Sequence, residues 1–185
     1  LIVNGIKDES DLAQQVVLVE QMIARRVDAI VIAPADSKAL IPVLRRARDA
    51  GIVVINIDNK LDINILQQTG LSIPFVGPDN RAGFRMVAQH LLLELQAGDQ
   101  VALIGGIKSA FNAQQRQLGF EDVMRSADVN IVSVQSGEWQ QIKASAIAAA
   151  LITEYPNLKA ILCSNDNMAI GAIASLRQAG KIGEV

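Results

Sequence analysis

Asp58, Arg116, Trp139 and Asn165 are the residues of this chain whose chemistry is least explained by packing or helix capping. Asp58 ends the apolar run Val53-Val54-Ile55-Asn56-Ile57 with no obvious helix after it. A carboxylate there can accept from two neighbouring hydroxyls at once; the plainer alternative is a turn aspartate or a salt bridge to Lys60. Trp139 is the single tryptophan in a chain with 3% aromatic residues. Its flat apolar face suits the C–H side of a sugar ring, and the alternative is a core anchor at a helix start. Arg116, in Asn112-Ala113-Gln114-Gln115-Arg116, sits early in a helix, where a cation is slightly unfavourable and needs a reason. Its fork of donors suits hydroxyl or carboxyl oxygens; the alternative is a surface ion pair with Glu121 or Asp122. Asn165 follows an apolar run directly and can offer a ligand one donor and one acceptor, or cap the next helix.

Signals for catalysis are weak. His90 lies among leucines with no Ser, Cys or metal-ligand partner near it in sequence, and Cys163, the one cysteine, reads as a small buried hydrophobe. Gly105-Gly106 follows a strand like half of a phosphate loop but lacks the G-x-G-x-x-G spacing and any Lys-Ser/Thr pair. No cofactor or metal site is expected. A net charge of −2 with no basic block gives no reason to expect nucleic acid or an anionic membrane as partner. No apolar run reaches the length of a membrane span.

The elements that must position these residues alternate. Short apolar runs at 1–3, 29–33, 53–57, 75–77, 101–104, 131–134 and 160–163 read as strands. Between them, Leu12, Val16, Val19 and Ile23 make one helical face, with Ser10 or Asp8 as cap. Leu40, Val43, Leu44 and Ala47 make a second, capped by Ser37 and stopped at Gly51, with Pro42 inside it at the loss of one backbone bond or a bend. Phe84, Val87, Leu91 and Leu95 make a third, ended by Gly98; further helices cover 113–126, 140–155 and 167–179. Strands buried on both faces and alternating with helices imply parallel sheets, an α/β fold of two doubly wound lobes. Residues 58–74 break the rhythm with no clear long helix, and Gly77-Pro78-Asp79-Asn80 after them marks a boundary near 78–80. The expected lobes are therefore 1–78 and 79–185. Ligands of such sheets bind beyond the carboxyl ends of the strands, where the polar residues fall here.

Two stretches carry a family resemblance. Val27-Asp28-Ala29-Ile30-Val31-Ile32-Ala33-Pro34-Ala35-Asp36-Ser37 with Ala50-Gly51-Ile52-Val53-Val54-Ile55-Asn56-Ile57-Asp58 resembles the first lobe of periplasmic ribose- and allose-type binding proteins. Glu138-Trp139-Gln140-Gln141-Ile142-Lys143-Ala144 and Ser164-Asn165-Asp166-Asn167-Met168-Ala169-Ile170-Gly171-Ala172 resemble the second. The resemblance runs in order along nearly the whole chain. It implies a type I periplasmic-binding-protein-like fold of two Rossmann-like lobes joined by a hinge, with a sugar or sugar alcohol held in the cleft between them. It implies hydroxyl acceptance by Asp58, stacking on Trp139 and a hydroxyl partner in Asn165. The arginine contact of the ribose type aligns with Gln114, two residues before Arg116, so either is the contact, with Asn112 a further candidate. An arginine after the aspartate is Asn59 here, and an asparagine on the preceding strand end is Ala33; both changes argue against ribose itself and fit a related sugar better. Relative to that family, a first strand with its aromatic loop and the last strands are missing, so the chain reads as a fragment that folds poorly alone.

The resemblance further implies a monomeric, periplasmic solute-binding protein that closes about its hinge on sugar and is read by the permease of an ABC-type importer. The rival is the effector domain of a lac-repressor-type regulator, which shares the fold. Those regulators often carry Gly-His where this chain has Ala97-Gly98-Asp99. An enzyme on a doubly wound fold is a third reading; it lacks the cofactor fingerprint or catalytic pair it would need.

Overall fold

The computed structural model describes residues Leu1–Val185. The chain divides into two compact units, Leu1–Pro78 with Ser109–Asn112, and Asp79–Lys108 with Ala113–Val185.

The first unit holds α1 (Leu12–Ala24), β1 (Ala29–Ile32), α2 (Ile41–Asp49), β2 (Val53–Ile57), α3 (Ile63–Gln68) and β3 (Phe75–Val76). The strands form one parallel sheet in the order β1-β2-β3, with Ala29 opposite Val53 and Asn56 opposite Phe75. Val19 of α1, Ile30 and Ile32 of β1, Ile41, Val43, Leu44 and Ala47 of α2, Val54 of β2 and Leu66 of α3 share one core. Each of the valine, leucine and isoleucine side chains among them contributes roughly 1.5–3 kcal/mol over its exposed state.

Several local expectations change. Residues 1–3 pair with no strand and are exposed, and an extended segment without a bonded neighbour makes no ladder. Asp11, not Ser10 or Asp8, caps α1 through the Gln14 N–H; Asp8 instead binds Ser10. Ser37 does not cap α2, which starts after Leu40 with no side-chain cap. Pro42 therefore falls in the first turn, where its missing N–H would have had no partner anyway, so it breaks no bond. Residues 58–74 hold no long helix, as expected, but do contain a short one, α3, whose Asp62 accepts from the Asn64 and Ile65 N–H groups; its six residues are too few for a periodic apolar face to show. Burial on both faces fails in this unit as well. β1 alternates, with Val31 63% exposed between two buried isoleucines, since α1 and α2 both pack with the Ile30 and Ile32 face.

The second unit holds α4 (Asn80–Leu91) with a 3₁₀ turn at Leu92–Glu94, β4 (Gln100–Gly105), α5 (Phe111–Ser126, from Ala113 onward), β5 (Asn130–Ser136), α6 (Gln141–Glu154), β6 (Leu158–Cys163) and α7 (Asp166–Gln178). Its sheet is parallel with β4 central, in the order β5-β4-β6. Here both faces are covered. Val101 and Leu103 join Phe84, Phe120 and Met124 on one side, while Ala102 and Ile104 join Ala144, Ala148, Leu151 and Met168 on the other. The third helical face stops short of Leu95, which is extended beyond the 3₁₀ turn.

Candidate functional site

In the first unit the carboxyl ends of β1 and β2 are braced by amides. Asn56 is buried at 1% exposure; its Nδ2 donates to the Asn59 carbonyl at 2.9 Å and its Oδ1 accepts from the Leu61 N–H at 2.9 Å. Asn59 is buried as well. Its Nδ2 donates to the Pro34 carbonyl at 2.9 Å, and its Oδ1 accepts from the Ser37 hydroxyl at 3.3 Å and the Asn112 N–H at 3.2 Å. Gln15 of α1 clamps the end of β1, donating to the Ala33 carbonyl and accepting from the Ala35 N–H, each at 2.9 Å. These bonds satisfy backbone groups that the strands release where they end.

Between the two asparagine anchors lies Asp58. It is exposed, has a left-handed backbone at φ 59°, and forms no hydrogen bond or ion pair within the chain, so the salt bridge to Lys60 does not form. The Lys60 ammonium instead lies 5.7 Å from the Phe75 ring and 5.8 Å from the Phe111 ring. Asp58, Asn59 and Asn112 line one cavity of about 350 Å³ within this unit, together with Gln15, Ala33 and Glu9. Beside it, burial raises the pKa of Asp36. Hydrogen bonds from Ser109 and from the Ala39 and Lys38 N–H groups, with the Lys38 charge, outweigh that and hold it below its ordinary 3.8.

In the second unit Arg116 and Trp139 meet. The guanidinium carbon lies 5.5 Å from the centroid of the indole, within cation–π range. Arg116 Nε donates to Asn80 Oδ1 at 2.9 Å and Nη1 to the Ser164 carbonyl at 2.5 Å. The ion pair to Glu121 or Asp122 is absent, because each acid is already taken: Asp122 is held bidentately by Arg81 at 2.8 and 2.9 Å, and Glu121 by Arg125 at 2.8 Å. The cation early in α5 thus has its reason in the indole and two oxygens. Trp139 Nε1 and Ser164 Oγ are buried without hydrogen-bond partners in this unit. Gln114 is exposed and turns back to donate to the Lys108 carbonyl at 2.9 Å. Asn165 caps α7, its Oδ1 accepting from the Met168 N–H at 2.9 Å, which leaves its amide nitrogen for another acceptor. Burial pushes the Cys163 thiol up to about 12, far from a reactive thiolate.

Sequence reasoning missed Asn56, Gln15 and the Ser164 hydroxyl. Asn56 had a signal: an amide inside an otherwise apolar strand must find buried partners. Gln15 had none, since the backbone it clamps lies 18 and 20 positions along the chain, and the Ser164 hydroxyl had none, since only the packing of the unit buries it.

Residues 2–185 match the family described as periplasmic binding protein domain. The chain belongs to that family. This periplasmic binding protein domain is 54% identical over its whole length to the D-ribose/D-allose-binding protein of Pseudomonas aeruginosa, and spans 58% of that protein. It resembles an ABC transporter solute-binding protein of Burkholderia multivorans at TM-score 0.98 and 58% identity, covering all of this chain and 65% of that one. It resembles a periplasmic solute-binding protein of Actinobacillus succinogenes with bound D-allose at TM-score 0.93 and 38% identity, again over all of this chain and 65% of the other. All three are named as binding proteins. The two parallel α/β units match the type I architecture of these neighbours.

Proposed function

We propose that this chain is the greater part of a monomeric periplasmic protein that binds a monosaccharide or sugar alcohol and delivers it to an ABC-type importer. What carries the reading is the state of the polar groups beyond the strand ends. Asp58 is unpaired on an amide-braced turn. The Arg116 guanidinium has no counter-ion, Trp139 Nε1 and Ser164 Oγ have no partner, and half of the Asn165 amide is unused. Acceptor, donors and an apolar ring are the groups a polyhydroxylated ring requires. The names of the relatives support the same class, D-ribose and D-allose among them.

Within this proposal Asp58, Arg116, Trp139 and Asn165 are contacts. Asn59, whose amide is already bonded on three sides, and Asn112, which bonds to it, position the loop. Gln114, turned to Lys108, is the weaker of the two candidates for the arginine position. Hinge closure on sugar belongs to the same proposal.

Isothermal titration of the whole protein with D-ribose, D-allose, other pentoses and hexoses, and polyols tests it, with thermal shift alongside. A sugar that binds also raises the unfolding midpoint. Silence across the set would overturn the reading. Small-angle scattering with and without the best sugar tests closure.

A further inference from the structure

The residues between β5 and α6 form a turn that their types do not favour. The Gln140 N–H donates to the Gly137 carbonyl at 2.8 Å, closing four residues with Glu138 and Trp139 at the centre. Both central residues have positive φ, 52° and 64°. Turns of that sign ordinarily take Asn, Asp or Gly at the centre, and a bulky aromatic there is an outlier. Such strain persists only where surroundings impose it. Those surroundings are visible. The Gly137 N–H donates to the Gly105 carbonyl at 2.8 Å and the Ser136 hydroxyl to the Gly106 carbonyl at 2.7 Å, tying the turn to the end of β4. A Cβ on Gly137 would stand 2.7 Å from Met168 Sδ and 2.9 Å from Ile104 Cγ2, so the turn is pressed onto the core.

The Trp139 indole then projects over Gly106. A Cβ there would collide with Cζ2, Cη2 and Cε2 of the ring, well inside contact distance. One residue earlier, a Cβ on Gly105 would meet only the Gln135 carbonyl at 3.7 Å, an ordinary contact. We propose that Gly106 is a positioning residue for sugar recognition: its bare backbone seats the Trp139 indole at the angle that meets both Arg116 and a sugar ring. The missing side chain at 106 is thereby part of the specificity of the site, since any methyl there must move the ring.

The affinity arm of the test rests on the proposed sugar-binding function; the spectroscopic arm does not. In the full-length protein, the emission of Trp139 is taken as the difference from a Trp139→Phe variant. Gly106→Ala is expected to shift that emission and to weaken D-allose or D-ribose by about ten-fold or more, the scale of one methyl in a recognition pocket. Gly105→Ala is expected to change neither. Unchanged emission and affinity in a folded Gly106→Ala protein overturn the inference. A parent protein silent to every sugar and polyol of the titration set overturns the proposed function, while the emission comparison still decides the position of the ring. Should Gly106→Ala not fold, the same change in the Trp139→Phe background, whose shorter ring vacates the contact, is expected to fold; equal failure there overturns the inference.

Discussion

The guanidinium of Arg116 lies over the Trp139 ring at 5.5 Å while donating to the Ser164 carbonyl at 2.5 Å, so one cation joins the ends of α5, β5 and β6. Arg116→Lys keeps the charge and loses the planar fork. A stability loss of about 1–3 kcal/mol is expected from the oxygens left short of a donor. Urea denaturation measures it, and calorimetry with D-allose should show weaker binding; a lysine protein equal to the parent on both counts would show that the fork does not matter.

Asp58 separates affinity from stability. Its carboxylate has no partner within the chain, and asparagine tolerates the left-handed backbone at φ 59°. Asp58→Asn is expected to lower sugar affinity by about 1.5–3 kcal/mol, the value of a hydrogen bond to a charged group, with an unchanged melting temperature. An unchanged affinity would remove Asp58 from the site.

Asn59 behaves in the opposite sense. Asn59→Ala strips partners from the Pro34 carbonyl, the Ser37 hydroxyl and the Asn112 N–H. Roughly 1–3 kcal/mol is expected for each buried group left unsatisfied, less where water enters. Denaturant midpoints report it. If Asn59 were a direct contact only, stability would hold while affinity fell.

Acid should loosen the first unit through Asp36. Its pKa is lowered in the folded protein, so the unfolded chain binds the proton more readily. The stabilisation is complete above the ordinary value of 3.8 and is lost as pH falls through the lower folded value. Melting temperature against pH should decline less below about pH 4 in Asp36→Asn than in the parent. Parallel curves would exclude Asp36 as a contributor.

Much of the architecture was legible because its causes are local. The i, i+3, i+4 spacing of Leu12, Val16, Val19 and Ile23 needs no knowledge of the rest of the chain. The apolar runs of β2 and β4 and the capping residue Asn165 are likewise read within a few positions. α3 escaped because a six-residue helix rests on its cap, Asp62, and not on a repeated face. Pro42 was misjudged by one turn, and that turn decides whether a proline breaks a bond or none.

The alternation of strand and helix, the polar character of the strand ends, and the residues carrying hydrogen-bonding or stacking chemistry there are all properties of short stretches of chain. Those follow from periodicities of two and 3.6 and from side-chain type. Which of these groups are already used depends on the folded chain. Asp122 is claimed by Arg81, 41 positions away, which leaves Arg116 for the indole. Asn59 is claimed by Ser37 and Asn112, 22 and 53 positions away, while Asp58 beside it is left without a partner. A hydrogen bond forms only within about 3 Å, and the path of the chain through parallel crossovers sets which distant residues come that close. The same holds for Trp139: its type suggested a ring for stacking, and the bare backbone at Gly106 decides where the ring lies.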